Sequence, residues 1–184
     1  MPVEVIENLA DRRVVVTGAA RGIGEGLAAK LLEQHARVAS FDIMPVQHPE
    51  HADCFRHFHC DLTSDDSVAE AVGQAENWLG HIDAAVHCAG VGRYAPFLDL
   101  SERDWTAMLD VNLLGAVRLA RHALPGMLRR ENGQLIVIGS RRGREPAPET
   151  SAYSASKAAV QAFLSGLGLE VNRFGVHTCL IMPG

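Results

Sequence analysis

Only two lysines and two tyrosines stand against fifteen arginines, cysteines number four, and aromatic residues make up 5% of the 184 positions. Basic charge is not in excess: the formal net charge is -5 and the pI is near 6.0. Nothing therefore draws the protein to a phosphate backbone, and the pairs Arg129–Arg130 and Arg141–Arg142 read as solvated surface rather than a nucleic-acid patch. Long apolar runs are missing too. Stretches such as "LIVI" at 135–138 fall far short of the roughly 20 residues of a bilayer crossing, so no membrane partner is expected. The opening "MPVEVIENLADRR" carries acids where a signal peptide carries basic residues, which leads to an expected cytoplasmic location with Cys54, Cys60, Cys88 and Cys179 as reduced thiols. Repeats and biased tracts are absent as well. At 47% hydrophobic and 21% charged, residues 1–184 read as one globular domain with a full core.

One segment raises a metal question. "HPEHADCFRHFHC" at 48–60 holds His48, His51, Cys54, His57, His59 and Cys60, all zinc-ligand types. It lacks paired C-x-x-C spacing, and its end alternates as a strand does, with His57 and His59 on one face and Phe58 and Cys60 on the other; no metal is expected.

Apolar β-branched runs alternate with amphipathic stretches along the chain. Strands are expected at 13–18, 37–42, 55–61, 82–90, 133–140 and from 176. Helices are expected at about 23–35, at 64–80 behind an N-cap at Ser64, as one long helix over 101–130 opened by a Ser101/Asp104 capping box, and at about 153–173. Strands joined through helices lie parallel, and near-continuous apolar strands are covered on both faces. The expected architecture is a three-layer, doubly wound α/β fold of about six parallel strands, with its ligand crevice outside the carboxyl ends of the strands.

The loops at those ends carry the chemistry. After the first strand comes "TGAARGIG" at 17–24. Gly18 permits a sharp turn, Gly22 lets backbone approach a pyrophosphate, and Gly24 lets the new helix pack on the sheet, with the helix N-terminus at about Ile23 facing the phosphates. The spacing is Gly-x3-Gly-x-Gly, and its position between a strand and a helix makes it a nucleotide-binding signal. Asp42 ends the second strand, where a carboxylate accepts from adenosine ribose hydroxyls and repels a 2′-phosphate; NAD is favoured over NADP. Arg21 in the glycine loop is the one residue that would pair with such a phosphate.

At the other end, "SAYSASK" sets Tyr153 four residues before Lys157, so both share one helix face. A tyrosine in so lysine-poor a chain has a lysine at +4 in roughly 1% of cases. A neighbouring ammonium stabilises a phenolate and brings a phenol toward the working range of a base, and a lysine can also donate to ribose hydroxyls. Ser140 ends the fifth strand at the same carboxyl edge.

Taken in order, "TGAARGIG", the strand-two Asp, "HCAG", Asn112 in "DVNLLGA", the strand-five Ser and "YSASK" resemble the short-chain dehydrogenase/reductase family of the smaller type, with a Rossmann fold. The resemblance implies an NAD(P)-dependent enzyme that interconverts a secondary alcohol and a ketone by hydride transfer. It implies Tyr153 as general acid/base, Lys157 as its partner and nicotinamide-ribose ligand, Ser140 as a donor to the reacting oxygen, and Asn112 as holder of a water in a proton relay. Asp61 and Leu62 match the adenine contacts, Ala89 and Gly90 the turn beside the adenosine ribose, and Pro183 and Gly184 the motif after the sixth strand. A homodimer or homotetramer is implied through the helices that carry Asn112 and Tyr153.

Departures are two. His87 and Cys88 stand where the family has Asn-Asn, from which altered local hydrogen bonding but little loss of cofactor affinity is expected. Family members also continue past Pro183-Gly184 with further nicotinamide contacts, a substrate lid and a seventh strand. Without that strand "VHTCLIM" would be an exposed sheet edge, so the natural chain is expected to be longer, the alternative being that another subunit covers the edge. A non-catalytic dinucleotide-binding or regulatory module of the same fold is the competing reading. Segments 91–97 and 141–150 are the expected substrate lining.

Overall fold

The structure, a computed structural model, describes residues 9–183. Six parallel strands form one sheet: β1 (Arg13–Thr17), β2 (Arg37–Asp42), β3 (Phe55–His59), β4 (Ala84–His87), β5 (Gly133–Ile138) and β6 (Val176–Ile181). Their order is β3-β2-β1-β4-β5-β6, so the sheet reverses direction of growth between β1 and β4. Each expected strand is found: β2 keeps its expected bounds, β1, β3, β5 and β6 end sooner at the carboxyl end where the chain leaves for a loop, and β4 is shorter at both ends. β6 is an edge strand: Val176 is buried, whereas Cys179 is exposed and Ile181 is 46% exposed.

Side-chain alternation splits the core. Val15 on β1 packs on one face with Phe41, Leu135 and Val137 against α2 (Asp65–Leu79), α4 (Gly115–Arg129) and α5 (Ser151–Val171). Val14 and Val16 point the other way and meet Ala28, Leu31 and Leu32 of α1 (Gly22–Glu33). The caps follow the sequence. Ser64 accepts from the Ser67 amide at 3.3 Å. Ser101 and Asp104 close a reciprocal capping box at the start of α3 (Glu102–Leu109).

The helix expected over 101–130 is not continuous. Between α3 and α4 the five residues Asp110–Leu114 form a π-helical segment, which inserts an extra residue into the turn around the buried Asn112. Such bulges concentrate at functional sites. Asn112 there is clamped by groups outside its helix, and Gly115 lets the segment sit so close that a Cβ there would lie 3.2 Å from Leu62 Cβ and 3.3 Å from His87 Cε1.

Candidate active site

The parallel strands leave a cleft of about 920 Å³ at their carboxyl ends, spanning the point where the sheet reverses. One end is built by the β1–α1 loop. Gly18 and Gly22 have φ of +68° and +62°, a region that favours glycine. A Cβ on Gly24 would lie 2.1 Å from the Gly18 carbonyl oxygen, and one on Gly18 would lie 2.7 Å from Ala89 Cα. A Cβ on Gly22 would meet nothing within 4 Å, so its backbone faces open cleft. Unlike α2 and α3, α1 has no side-chain cap: Arg21 at its N-cap makes none, which leaves first-turn N–H groups for an anion.

Asp42 fastens this end. Its Oδ2 accepts from the Ala20 amide at 3.0 Å and its Oδ1 from the Met44 amide at 2.9 Å, so the carboxylate holds the glycine loop while its remaining lone pairs face the cleft. Asp61 Oδ1 accepts from the Thr63 amide at 2.9 Å and the Thr63 hydroxyl at 2.8 Å. Those two bonds, the backbone one first, hold its carboxyl below the usual range. Arg118 of α4 donates to the Leu62 carbonyl at 2.8 Å and to Asp110 at 2.6 Å, tying the β3 loop to the π segment.

At the other end Tyr153, Lys157 and Ser140 line the same cleft. Lys157 is buried, donates from Nζ to the Ile138 carbonyl at 2.9 Å, and keeps that nitrogen 5.9 Å from the centre of the Tyr153 ring. Burial pushes its pKa down to about 8, partly opposed by interaction with the Cys88 thiol. Ser140 Oγ accepts from the Arg142 amide at 3.1 Å, so its own hydroxyl proton stays available. Tyr94, the second tyrosine, packs edge-on to Tyr153 with ring centres 5.5 Å apart.

Gly18, Arg21, Gly22, Ile23, Gly24, Asp42, Asp61, Leu62, Ala89, Gly90, Ser140, Tyr153, Lys157 and Pro183 all line the cleft; Gly184 lies outside the described residues. Asn112 is fully buried, and its neighbour Val111 is the one that lines the cleft. Asn112 Oδ1 accepts from the Val91 amide at 2.8 Å, and its Nδ2 donates to the Val91 carbonyl and to Ser156 Oγ, both at 2.9 Å. The amide is thus a clamp that mimics a strand partner for Val91, and Ser156 in turn donates to the Tyr153 carbonyl at 2.7 Å. No residue of segment 141–150 lines this cleft; Arg142 turns to the Glu145 carbonyl and Arg144 to Gln161. Of 91–97, Val91, Gly92 and Tyr94 do line it. Sequence reasoning missed Ile43 and Met44, exposed apolar side chains that line the cleft beside Asp42; two exposed apolar residues directly after a strand-ending acid are a signal it could have used.

His87 and Cys88 depart from the expected Asn-Asn in different ways. Cys88 lines the cleft, its thiol pushed up to about 12 by burial. His87 is wholly buried beneath the π segment, and burial first, then the Lys157 charge, push its pKa down to about 3. Among the described residues no group of three or more His, Cys, Asp or Glu could hold a metal ion, and no helix is long and apolar enough to cross a membrane.

With this geometry in hand the relatives are informative. An uncharacterized oxidoreductase of Staphylococcus aureus (strain MRSA252) is 34% identical over 181 residues, covering 96% of this chain and 78% of its own. Oxidoreductase UcpA of Escherichia coli (strain K12) is 32% identical over 183 residues, covering 96% and 70%. A short-chain dehydrogenase from Streptomyces avermitilis superposes with a TM-score of 0.86 at 27% identity, covering 94% of this chain, which spans only 65% of that one. A metagenomic short-chain oxidoreductase in complex with NADP superposes with a TM-score of 0.84 at 29% identity, covering 96% and 83%. Residues 12–184 match the short chain dehydrogenase family along their whole length, and the chain belongs to that family.

Proposed function

We propose that the protein is a nicotinamide-dinucleotide-dependent oxidoreductase that interconverts a secondary alcohol and a ketone, with Tyr153 as the general acid/base. The observation that carries this reading is that Tyr153, Lys157 and Ser140 share one cleft with an uncapped, glycine-lined helix start. The cleft fits a dinucleotide on structural grounds: Gly18 and Gly24 admit no Cβ, Gly22 opens onto the cleft, and Asp42 keeps acceptor capacity beside the loop it fastens. Gly18, Gly22, Ile23 and Gly24 would hold the pyrophosphate, Asp42 and Ala89–Gly90 the adenosine ribose, Asp61 and Leu62 the adenine, and Lys157 with Pro183 the nicotinamide side. When bound, the nicotinamide supplies or accepts the hydride.

The chain's own groups handle the proton. Tyr153 exchanges it with the substrate oxygen, and Ser140, whose hydroxyl proton is unused, hydrogen-bonds that oxygen as charge develops on it. Lys157, steadied by the Ile138 carbonyl, presents a positive charge to the same cleft. Asn112 acts through Val91 and Ser156, fixing the two backbones that flank the reacting groups. Asp42 supports NAD over NADP by charge, with Arg21 as the residue that would serve a 2′-phosphate. The reading includes a homodimer or homotetramer working in the cytoplasm.

The test is a fluorescence titration with NADH and NADPH on wild type and Asp42→Ala, followed by turnover of a panel of secondary alcohols and ketones read at the nicotinamide absorbance. Tighter NADH binding by wild type, weakened in the variant, together with turnover of any substrate in the panel, supports the proposal. An NADPH preference in wild type overturns the NAD assignment. Dinucleotide binding without turnover of any substrate favours a non-catalytic module.

A further inference from the structure

The one buried side-chain polar atom without a partner among the described residues is His87 Nε2, beside the π segment and under the cleft floor. His87 ends β4, and its ring is fully buried. Its Nδ1 lies 3.2 Å from Thr17 Oγ1, a hydroxyl that is itself fully buried. That same Oγ1 accepts from the Ala89 amide at 3.2 Å. Ala89 in turn sits so tightly on Gly18 that only glycine fits there. The backbone carbonyls of Val111 and Asn112, in the π segment, are the groups that favour a proton on the ring. Gly115 leaves just the room the imidazole needs.

We propose that His87 is a positioning residue, a neutral imidazole that takes the Thr17 hydroxyl proton on Nδ1 and turns its Nε2–H toward the π segment, so locking the Ala89–Gly90 turn against the glycine loop. The direction of the chain of bonds follows from the acceptors around it. The Ala89 amide can only donate, so Thr17 Oγ1 accepts from it; passing the Thr17 proton to Nδ1 leaves Nε2–H for the Val111 and Asn112 carbonyls, whereas the reverse would set a bare Nε2 lone pair against those carbonyls and give the hydroxyl proton no acceptor among the described residues. A neutral ring with Nδ1 accepting carries its proton on Nε2. Burial keeps the ring neutral, as the chain of bonds requires. The device joins three walls of the cleft: the glycine loop through Thr17, the β4 turn through Ala89, and the π segment through Val111, which lines the cleft beside them. It rests on reading the cleft as a dinucleotide site.

The tautomer is read directly from the nitrogen chemical shifts of the histidine rings in the 15N-labelled protein. The expected spectrum shows one ring protonated on Nε2 that does not titrate between about pH 5 and pH 8; its assignment comes from its loss in His87→Asn. Protonation on Nδ1, or titration in that range, overturns the proposal. In binding, His87→Leu and Thr17→Val each weaken NADH affinity by about tenfold, and the double variant weakens it no further than either alone. Turnover at saturating NADH is changed by less than about threefold, because the pair positions the cofactor turn and touches no reacting atom. His87→Asn, which keeps one acceptor and one donor, retains most of the affinity. Unchanged affinity in both single variants, additive losses, or a loss in turnover with affinity intact overturns the proposal. Where His87→Leu does not fold, Thr17→Val and the wild-type spectrum decide. If wild type binds no dinucleotide at all, the functional reading fails, while the spectrum still judges the direction of the Thr17–His87 bond.

Discussion

Adding one methyl group at Gly24 should weaken dinucleotide binding without removing any polar group. A Cβ there would stand 2.1 Å from the Gly18 carbonyl oxygen and 2.7 Å from its carbon, far inside the 3.4–4 Å of ordinary contact. The clashing atoms are backbone, so no side-chain rotation relieves them. Either α1 backs off the β1 loop or the loop opens, and overpacking of this kind costs about 1–3 kcal/mol. The loop that would move presents Gly22 and the first-turn N–H groups to the cleft, so the same distortion should weaken NADH by about tenfold or more. Two neighbours on the same loop and helix serve as internal controls. Gly22→Ala meets no atom within 4 Å but must hold a φ of +62°, so it should cost about 1 kcal/mol of strain. Gly26 is exposed, interior to α1, has open space around its Cβ position and no positive φ. Gly26→Ala should therefore stabilise, by about 0.5–1 kcal/mol or roughly 1–4 °C in Tm. The assays are thermal melts and NADH fluorescence titrations on the three variants. Equal melting temperatures and equal NADH affinity for Gly24→Ala and wild type would refute the packing reasoning.

Other outcomes follow from the same geometry. Asn112→Ala removes the Val91 and Ser156 bonds together and leaves the Val91 amide and carbonyl unpaired near the cleft, so a loss of about 2–3 kcal/mol is expected in urea unfolding, along with reduced turnover. Lys157, with its pKa lowered to about 8, loses its charge as pH rises through that value, so the contribution of its ammonium to turnover is full below about pH 8 and declines above it; a pH–rate profile of kcat checks this. The stability effect of Lys157 has the opposite sign. A lysine depressed in the folded state leaves the unfolded chain binding more protons between about pH 8 and 10.5, so this residue's contribution grows more favourable across that window, measurable as the difference in unfolding free energy between wild type and Lys157→Met.

Much of the molecule was legible in the residues because the signals were local. Alternation of apolar β-branched strands with helices, serines at 64 and 101, and three glycines between a strand and a helix each depend on neighbours within one turn or one pleat, and the parallel sheet follows from their order. The cleft lining was legible for the same reason: a doubly wound sheet brings every strand's carboxyl end to one edge, so loop residues at those ends converge whatever their separation. The misses are long-range. Nothing around Asn112 shows that its amide would pair with Val91 and Ser156, or that this clamp would be accompanied by a π turn in a segment of otherwise regular helical pattern. The local ties of the arginines after Ser140, Arg142 to the Glu145 carbonyl and Arg144 to Gln161, also have no signature in the sequence. Tyr94 was read only as part of a loop, because the edge-on packing that brings it to Tyr153 spans the β4 and β5 connections; the Glu149 carbonyl, which accepts from the Ala95 amide at 3.1 Å, ties those connections together.

The central claim is that Tyr153 moves the proton beside a bound dinucleotide, and Tyr153→Phe tests it most directly, since only one oxygen is lost and the ring contact with Tyr94 survives. NADH affinity and ketone turnover are measured on the same preparation as wild type. The account expects affinity within about threefold of wild type and turnover reduced by roughly 10²–10⁴-fold; a Phe variant that turns over at the wild-type rate contradicts it.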